Sequence, residues 1–208
     1  LSKTAAQTRN KSPANAAKGG NHLRIIGGVW RGRKLSFPDA DGLRPTGDRI
    51  RETLFNWLAP EIHSAHCLDL FAGSGALGLE ALSRGAKSSL MLEKNAKAAR
   101  QLNSNLQLLQ ADNGKVEQAD SLGWLTRQQP AQRFDIVFID PPFALDLWEK
   151  IAAALEAGNW LSDEATIYLE APRDAQLHLP GNWQVHRDKQ AGQVSFRLYH
   201  RHAVENNH

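Results

Sequence analysis

The chain has 208 residues, 41% of them hydrophobic and 23% charged, with a formal net charge of +3. That length holds one ordinary domain with a sizeable core and a short appendage. A single cysteine, Cys67, excludes an internal disulfide framework and fits a reducing compartment, and no apolar run nears the roughly 20 residues that span a bilayer. No secretory pattern opens the sequence, so a cytoplasmic protein with no membrane association is expected, acting as a monomer. His200 and His202 come nearest to a metal pattern, but no cysteine or carboxylate cluster adjoins them, and no metal site is expected.

The small net charge hides an asymmetry. From Leu1 to Lys34 the chain carries Lys3, Arg9, Lys11, Lys18, Arg24, Arg31, Arg33 and Lys34 with no acid. Such a segment is either a solvated tail or an electrostatic arm for a polyanion. Residues 1–22 are small and polar without aromatics, the composition of a disordered basic tail. LRIIGGVWRGRKLSF, residues 23–37, has two apolar runs about Gly-rich turns and predicts a small hairpin bearing Arg24, Arg31, Arg33 and Lys34. In the following LRPTGDRIRETLFNWL, Pro45 and Thr46 precede Ile50, Leu54, Trp57 and Leu58, an apolar stripe at helical spacing. Residues 23–60 therefore form a hairpin-and-helix extension to a main domain over 61–202.

From His66 the rhythm changes. Short apolar runs CLDLF, SSLMLE, KVEQA, FDIVFID and ATIYLE alternate with helical stretches beginning near Ala76, Asn95, Ser121 and Leu145. The alternation predicts an α/β fold, a mostly parallel, doubly wound sheet with helices on both faces. NWQVHRDKQAGQVSFRLYHR then reads as two strands about an Ala-Gly turn, closing the sheet with an antiparallel hairpin.

The first run leads into DLFAGSGALG. Gly73, Gly75 and Gly78 satisfy a dinucleotide-type G-x-G-x-x-G, and Glu93 ends the next run 20 residues after Gly73. Glycines here imply close approach of backbone to a ligand, and the acid implies a ribose held by its hydroxyls, as in nucleoside cofactors generally. Asp69 narrows the choice. A pyrophosphate gains nothing from a carboxylate sharing its pocket, whereas S-adenosylmethionine has no phosphate and carries an ammonium and a sulfonium. The alternative is that Asp69 caps the loop through backbone N–H groups.

FDIVFIDPPF ends on an acid, two prolines and an aromatic. In an open α/β sheet this strand delivers Asp140 to the same rim as Gly73. The prolines fix φ and remove two donors, leaving carbonyl oxygens rigidly aimed. A carboxylate from Asp140 and a fixed carbonyl from Pro141 together match an NH2 group, and Phe143 offers a flat face for a nucleobase. Hydrogen bonds to both hydrogens of an exocyclic amine stabilise the positive charge that develops on its nitrogen during attack on a methyl group.

With these residues in place, the chain resembles the RsmD family of bacterial small-subunit ribosomal RNA methyltransferases. The resemblance rests on LRIIGGVWRGRKL, RPTGDRIRETLFNWL, CLDLFAGSGALGLEALSRGA, DPPF and GQVSFRLYHR, in family order over residues 23 to 201. It implies a class I methyltransferase fold, S-adenosylmethionine as donor, and N2 of a guanine in 16S ribosomal RNA of the assembled small subunit as target. It further implies that Glu93 holds the ribose and Asp120 the adenine amino group, and that Arg44, Thr46 and Phe55 close over the cofactor. Phe71, inside the glycine loop, falls among the cofactor contacts. For Asp120 the alternative is an N-cap of the following helix. Two other functions compete: an adenine-N6 methyltransferase, which needs the same acceptor pair, and a non-catalytic RNA-binding assembly factor. The intact DPPF and Gly73 with Gly75 favour a working enzyme.

Overall fold

The computed structural model describes residues 21–39 and 46–203, so the tail over residues 1–20 and Arg44 lie outside the described residues. The chain enters as an antiparallel hairpin, β1 (Asn21–Arg24) with β2 (Lys34–Phe37), so ordered pairing begins two residues earlier than the sequence suggested. Helix α1 (Asp48–Trp57) follows. The alternating stretch then yields β3 (His66–Asp69), α2 (Gly78–Ser83), β4 (Ser88–Glu93), α3 (Ala96–Leu109), β5 (Gly114–Gln118), α4 (Ser121–Arg127), β6 (Phe134–Ile139), α5 (Trp148–Ala157) and β7 (Leu161–Pro172). The hairpin of β8 (Trp183–Ala191) and β9 (Val194–Arg201) closes the chain.

The seven-stranded sheet has the order β5-β4-β3-β6-β7-β9-β8, parallel except for β9, which runs antiparallel to both of its neighbours. This is the expected doubly wound class I methyltransferase architecture. Alternate residues of the central strands feed opposite faces. Leu68, Val137, Ile139, Ile167 and Leu169 pack toward α4 and α5, while Cys67, Ile136, Phe138 and Tyr168 pack toward α1 and α2. The N-terminal hairpin lies on the second face as well, where Leu23, Ile25, Leu35 and Phe37 join Met91 and the apolar side of α3.

Local sequence explains the helices. In α5, Trp148, Ile151, Ala152 and Leu155 recur at helical spacing and are buried. Asn95 caps α3 by accepting from Lys97 N and Ala98 N, both at 3.0 Å. Edge strand β8 is different, because every residue from Gln184 to Ala191 is exposed. His200 on β9 lies 3.2 Å from Glu61 and stacks on His186 with ring centroids 4.0 Å apart. No helix among the described residues is long and apolar enough to cross a membrane.

One buried carboxylate joins the N-terminal segment to the sheet domain. Glu80 on α2 is fully buried; Oε1 accepts from Gly27 N at 2.7 Å and Arg84 Nε at 2.8 Å. Oε2 accepts from Ile26 N at 2.9 Å and Arg51 Nη1 at 3.4 Å. Replacing Glu80 by alanine strands two backbone donors and the buried Arg51 charge. The expected loss is about 3–5 kcal/mol, read as a lowered urea midpoint at unchanged slope. A loss under about 1 kcal/mol would show that this network is peripheral to stability.

Candidate active site

Parallel strands send their last residues to one rim. Asp69 ends β3, Glu93 ends β4, and Asp140 follows β6 directly. Ile139 pairs with Leu169, so Asp140 and Glu170 emerge side by side from adjacent strands. Above this rim opens a cavity of about 810 Å³, within the range of small-ligand sites. Of the residues singled out in the sequence, Thr46, Asp69, Phe71, Gly73, Glu93, Asp120, Asp140, Pro141 and Phe143 line it.

Two expected contacts are elsewhere. Phe55 is fully buried in the core against Phe138, ring centroids 6.0 Å apart, and Arg84 covers its ring at 5.2 Å. It belongs to the core between α1 and the sheet and does not line the cavity. Gly75 also lies off the wall. Its φ of +85° and a would-be Cβ 2.4 Å from Leu102 Cδ2 show that α3, not a ligand, demands a glycine there. Gly78 is likewise a packing glycine, its would-be Cβ 2.5 Å from Met91 Cγ. Of the three loop glycines, only Gly73 faces the cavity.

The acids divide by what already occupies them. Asp69 is 1% exposed, and its Oδ2 accepts from Gly78 N at 3.0 Å, so it does cap the loop while also lining the cavity. Glu93 spans Gly73 N at 2.8 Å and Asn95 N at 2.7 Å, fixing the turn between β4 and α3. Asp120 is the N-cap of α4, accepting from Gly123 N at 3.1 Å, with Lys94 Nζ 3.4 Å away. The Gly123 N–H holds its carboxyl below the usual range, and Lys94 assists. Each acid still has accepting capacity for a ligand.

Asp140 is held differently. Its one protein hydrogen bond among the described residues comes from the Thr46 hydroxyl, 3.2 Å from Oδ2. Burial, and then the neighbouring Glu170 carboxylate, push Asp140 well above the usual carboxylate range, against the pull of Thr46. Among the described residues no donor reaches the Pro141 carbonyl, whereas that of Pro142 accepts from Leu145 N at 3.0 Å. One carbonyl of the pair is thus free, not both. Phe143 opens a short 3-10 turn, is 38% exposed, and leans on Trp148 at 5.7 Å between ring centroids.

Glu170 is the functional candidate that sequence reasoning missed. It is buried, accepts from Tyr168 Oη at 2.9 Å, and is raised by burial above the usual carboxylate range. Its signal was present, since ATIYLE ends on an acid as SSLMLE and FDIVFID do. The cavity wall so collects five carboxylates, with Lys94 its one basic residue among those described. Acids at five positions suit a ligand with hydrogens to donate better than one bearing phosphates.

Burial raises Asp69 from 3.8 to about 7, opposed by the Gly78 and Phe71 N–H groups and reinforced by Glu93. The folded protein therefore keeps this proton while the unfolded chain gives it up, and stability falls as pH rises through that window. Asp69→Asn retains an acceptor for Gly78 N and removes the titration. Thermal unfolding between pH 4 and pH 8 should show a flatter profile for the variant, by up to about 4 kcal/mol. Parallel profiles would place the proton elsewhere.

Comparison with known proteins agrees with this geometry. A family model described as "Conserved hypothetical protein 95" matches residues 23–200. The Ribosomal RNA small subunit methyltransferase D of Escherichia coli strain K12 is 52% identical over 194 residues, covering 93% of this chain and 96% of that protein. The protein of the same name from Haemophilus influenzae is 50% identical over 185 residues, covering 88% and 95%. A solved structure of the yhhF protein from Escherichia coli aligns with a TM-score of 0.82 at 49% identity, covering 88% of this chain and all of the other. An acid-lined cavity beside DPPF, on a sheet of this order, and similarity over nearly the whole chain lead to one assignment: the chain belongs to the RsmD family of ribosomal RNA methyltransferases.

Proposed function

We propose that the chain transfers a methyl group from S-adenosylmethionine to the exocyclic N2 amine of a guanine in 16S ribosomal RNA, acting as a monomer on the assembled small subunit. The observation that carries this reading is the pairing of Asp140 with the free Pro141 carbonyl at the mouth of an acid-lined cavity. The name borne by the Escherichia coli and Haemophilus relatives supports a ribosomal substrate.

The residues present suit the cofactor. Glu93 is placed for ribose hydroxyls, Asp120 for the adenine amino group, and Asp69 near the glycine loop for cationic groups, with Gly73 and Phe71 completing the wall. When bound, S-adenosylmethionine supplies an electrophilic methyl on a sulfonium. The remaining work is positioning, which can account for a large part of such a rate enhancement. Asp140 and the Pro141 carbonyl each accept one N–H of the amine, drawing its lone pair out of the ring and stabilising the developing ammonium. Phe143, exposed at the rim, provides the stacking face.

Asp140→Ala should lower methyl transfer to unmodified small subunits by about 100-fold or more, with cofactor affinity within a few-fold. Asp140→Asn keeps an acceptor and should retain part of the activity. Nucleoside mass spectrometry gives the readout, N2-methylguanosine against N6-methyladenosine. An alanine variant of near wild-type rate would overturn the role given to DPPF.

The basic hairpin supplies an RNA contact surface. Arg24, Arg31, Arg33 and Lys34 are all exposed; Arg24 also pairs with Asp48 at 3.1 Å, and Arg33 Nη2 reaches Leu108 O at 3.5 Å. Phosphate contacts release counterions, so affinity for the subunit should fall steeply with salt. Replacing Arg31 and Arg33 with alanine should flatten the log–log slope by roughly one to two units at unchanged cofactor affinity. Superimposable slopes would mean that the RNA is held elsewhere.

A further inference from the structure

The Arg51 side chain is 1% exposed and makes four hydrogen bonds. Its Nε donates to the Thr46 carbonyl at 3.1 Å, Nη1 to Glu80 Oε2 at 3.4 Å, and Nη2 to the Arg24 carbonyl at 3.0 Å and Asp48 Oδ1 at 2.6 Å. One residue thus grips the end of β1, the first turn of α1, the middle of α2 and the segment leading into α1. Such a fork has a fixed geometry that a lysine cannot reproduce.

Thr46 is the gripped residue nearest the cavity. Its carbonyl is taken by Arg51, and its hydroxyl donates to Asp140 Oδ2 at 3.2 Å while also contacting Glu170. A hydroxyl has a single proton to give. Asp140 itself is faced by Asp69 from β3 and by Tyr168 and Glu170 from β7, and among the described residues only the Thr46 hydroxyl offers it a proton directly. Like charges on two sides would turn this carboxylate away from its neighbours unless a donor fixes it. With Oδ2 held, Oδ1 keeps no protein partner among the described residues and is left for the amine.

We propose that Arg51 is a positioning residue for methyl transfer: by clamping Thr46 it sets the hydroxyl that orients Asp140, so the segment carrying the basic hairpin also completes the active site. This rests on the reading of Asp140 given above. Thr46 then serves the acceptor side of the reaction more than the cofactor side.

The test compares Thr46→Val, Thr46→Ser, Arg51→Lys and Asp140→Ala in single-turnover and steady-state methylation of unmodified small subunits. Thr46→Val and Arg51→Lys should lower kcat by about tenfold or more, the range for a lost hydrogen bond to a charged group. KM for the subunit and Kd for S-adenosylmethionine should change little, and Thr46→Ser should restore kcat. Because the hydroxyl favours ionised Asp140, its loss in Thr46→Val should also move the acid limb of kcat to higher pH. Should Arg51→Lys not fold, Thr46→Val against Thr46→Ser decides alone. Wild-type kcat in Thr46→Val with an inactive Asp140→Ala overturns this inference only, as does a defect confined to cofactor Kd. An active Asp140→Ala overturns the reading of the site beneath it.

Discussion

A carboxylate and a guanidinium buried together, Glu80 and Arg51, form the constraint on which the rest of the arrangement depends. Removing both from water is expensive, and their mutual attraction offsets that expense only when every remaining polar site is filled. Here that condition is largely met, because each Glu80 oxygen accepts two donors and four of the five Arg51 N–H groups are taken, three of them by acceptors other than Glu80. Apolar packing alone could seat the hairpin on α3 in several nearby registers. A network of directional bonds admits one. The position of the N-terminal segment relative to the sheet, and therefore of Thr46 relative to Asp140, follows from that network.

The cavity shows a second division of labour. Asp69, Glu93 and Asp120 are tied to backbone N–H groups of the turns they sit beside, so the shape of the wall and the acceptors it offers come from the same side chains. Asp140 has no such tie to backbone among the described residues, and burial, then its neighbours, raise its energy as an anion. An acid held in that condition is improved by any ligand that brings hydrogens to donate. The wall is tied down beside the proposed cofactor positions and under-satisfied at the acid proposed to meet the amine, a contrast common at functional sites.

How much of this was legible in the sequence depended on how local the cause was. Strand runs and helix stripes answer to periodicity, and every element from β3 to β9 appears where the alternation put it. DPPF was legible because proline and acid have few local uses together. Phe55 was not, because membership in a family segment says that a residue matters without saying which way it points, and α1 is covered on the side that holds Phe55. Gly75 misled for a similar reason: a positive φ and a crowded Cβ arise equally from a ligand and from Leu102. Arg51 and Glu80, 29 positions apart, carry no mark of burial in the sequence, since charged residues are seldom fully buried unless paired. Only the tertiary arrangement reveals the pair.

Strand β8 leaves one edge of the sheet open, with its outer N–H and C=O groups unmatched by any strand among the described residues. An edge of that kind is a template for another chain's strand, and nine residues is ample length to nucleate fibrous association. The sequence WQVHRDKQA answers with His186, Arg187, Asp188 and Lys189 at consecutive positions, and the register shifts between Val185 and Arg187. A second β8 laid alongside in parallel register would bring like charges together, and in any register it would meet a kink in place of a straight ladder. The bare strand thus carries, in its own charges and its own kink, what makes it a poor template for a further strand.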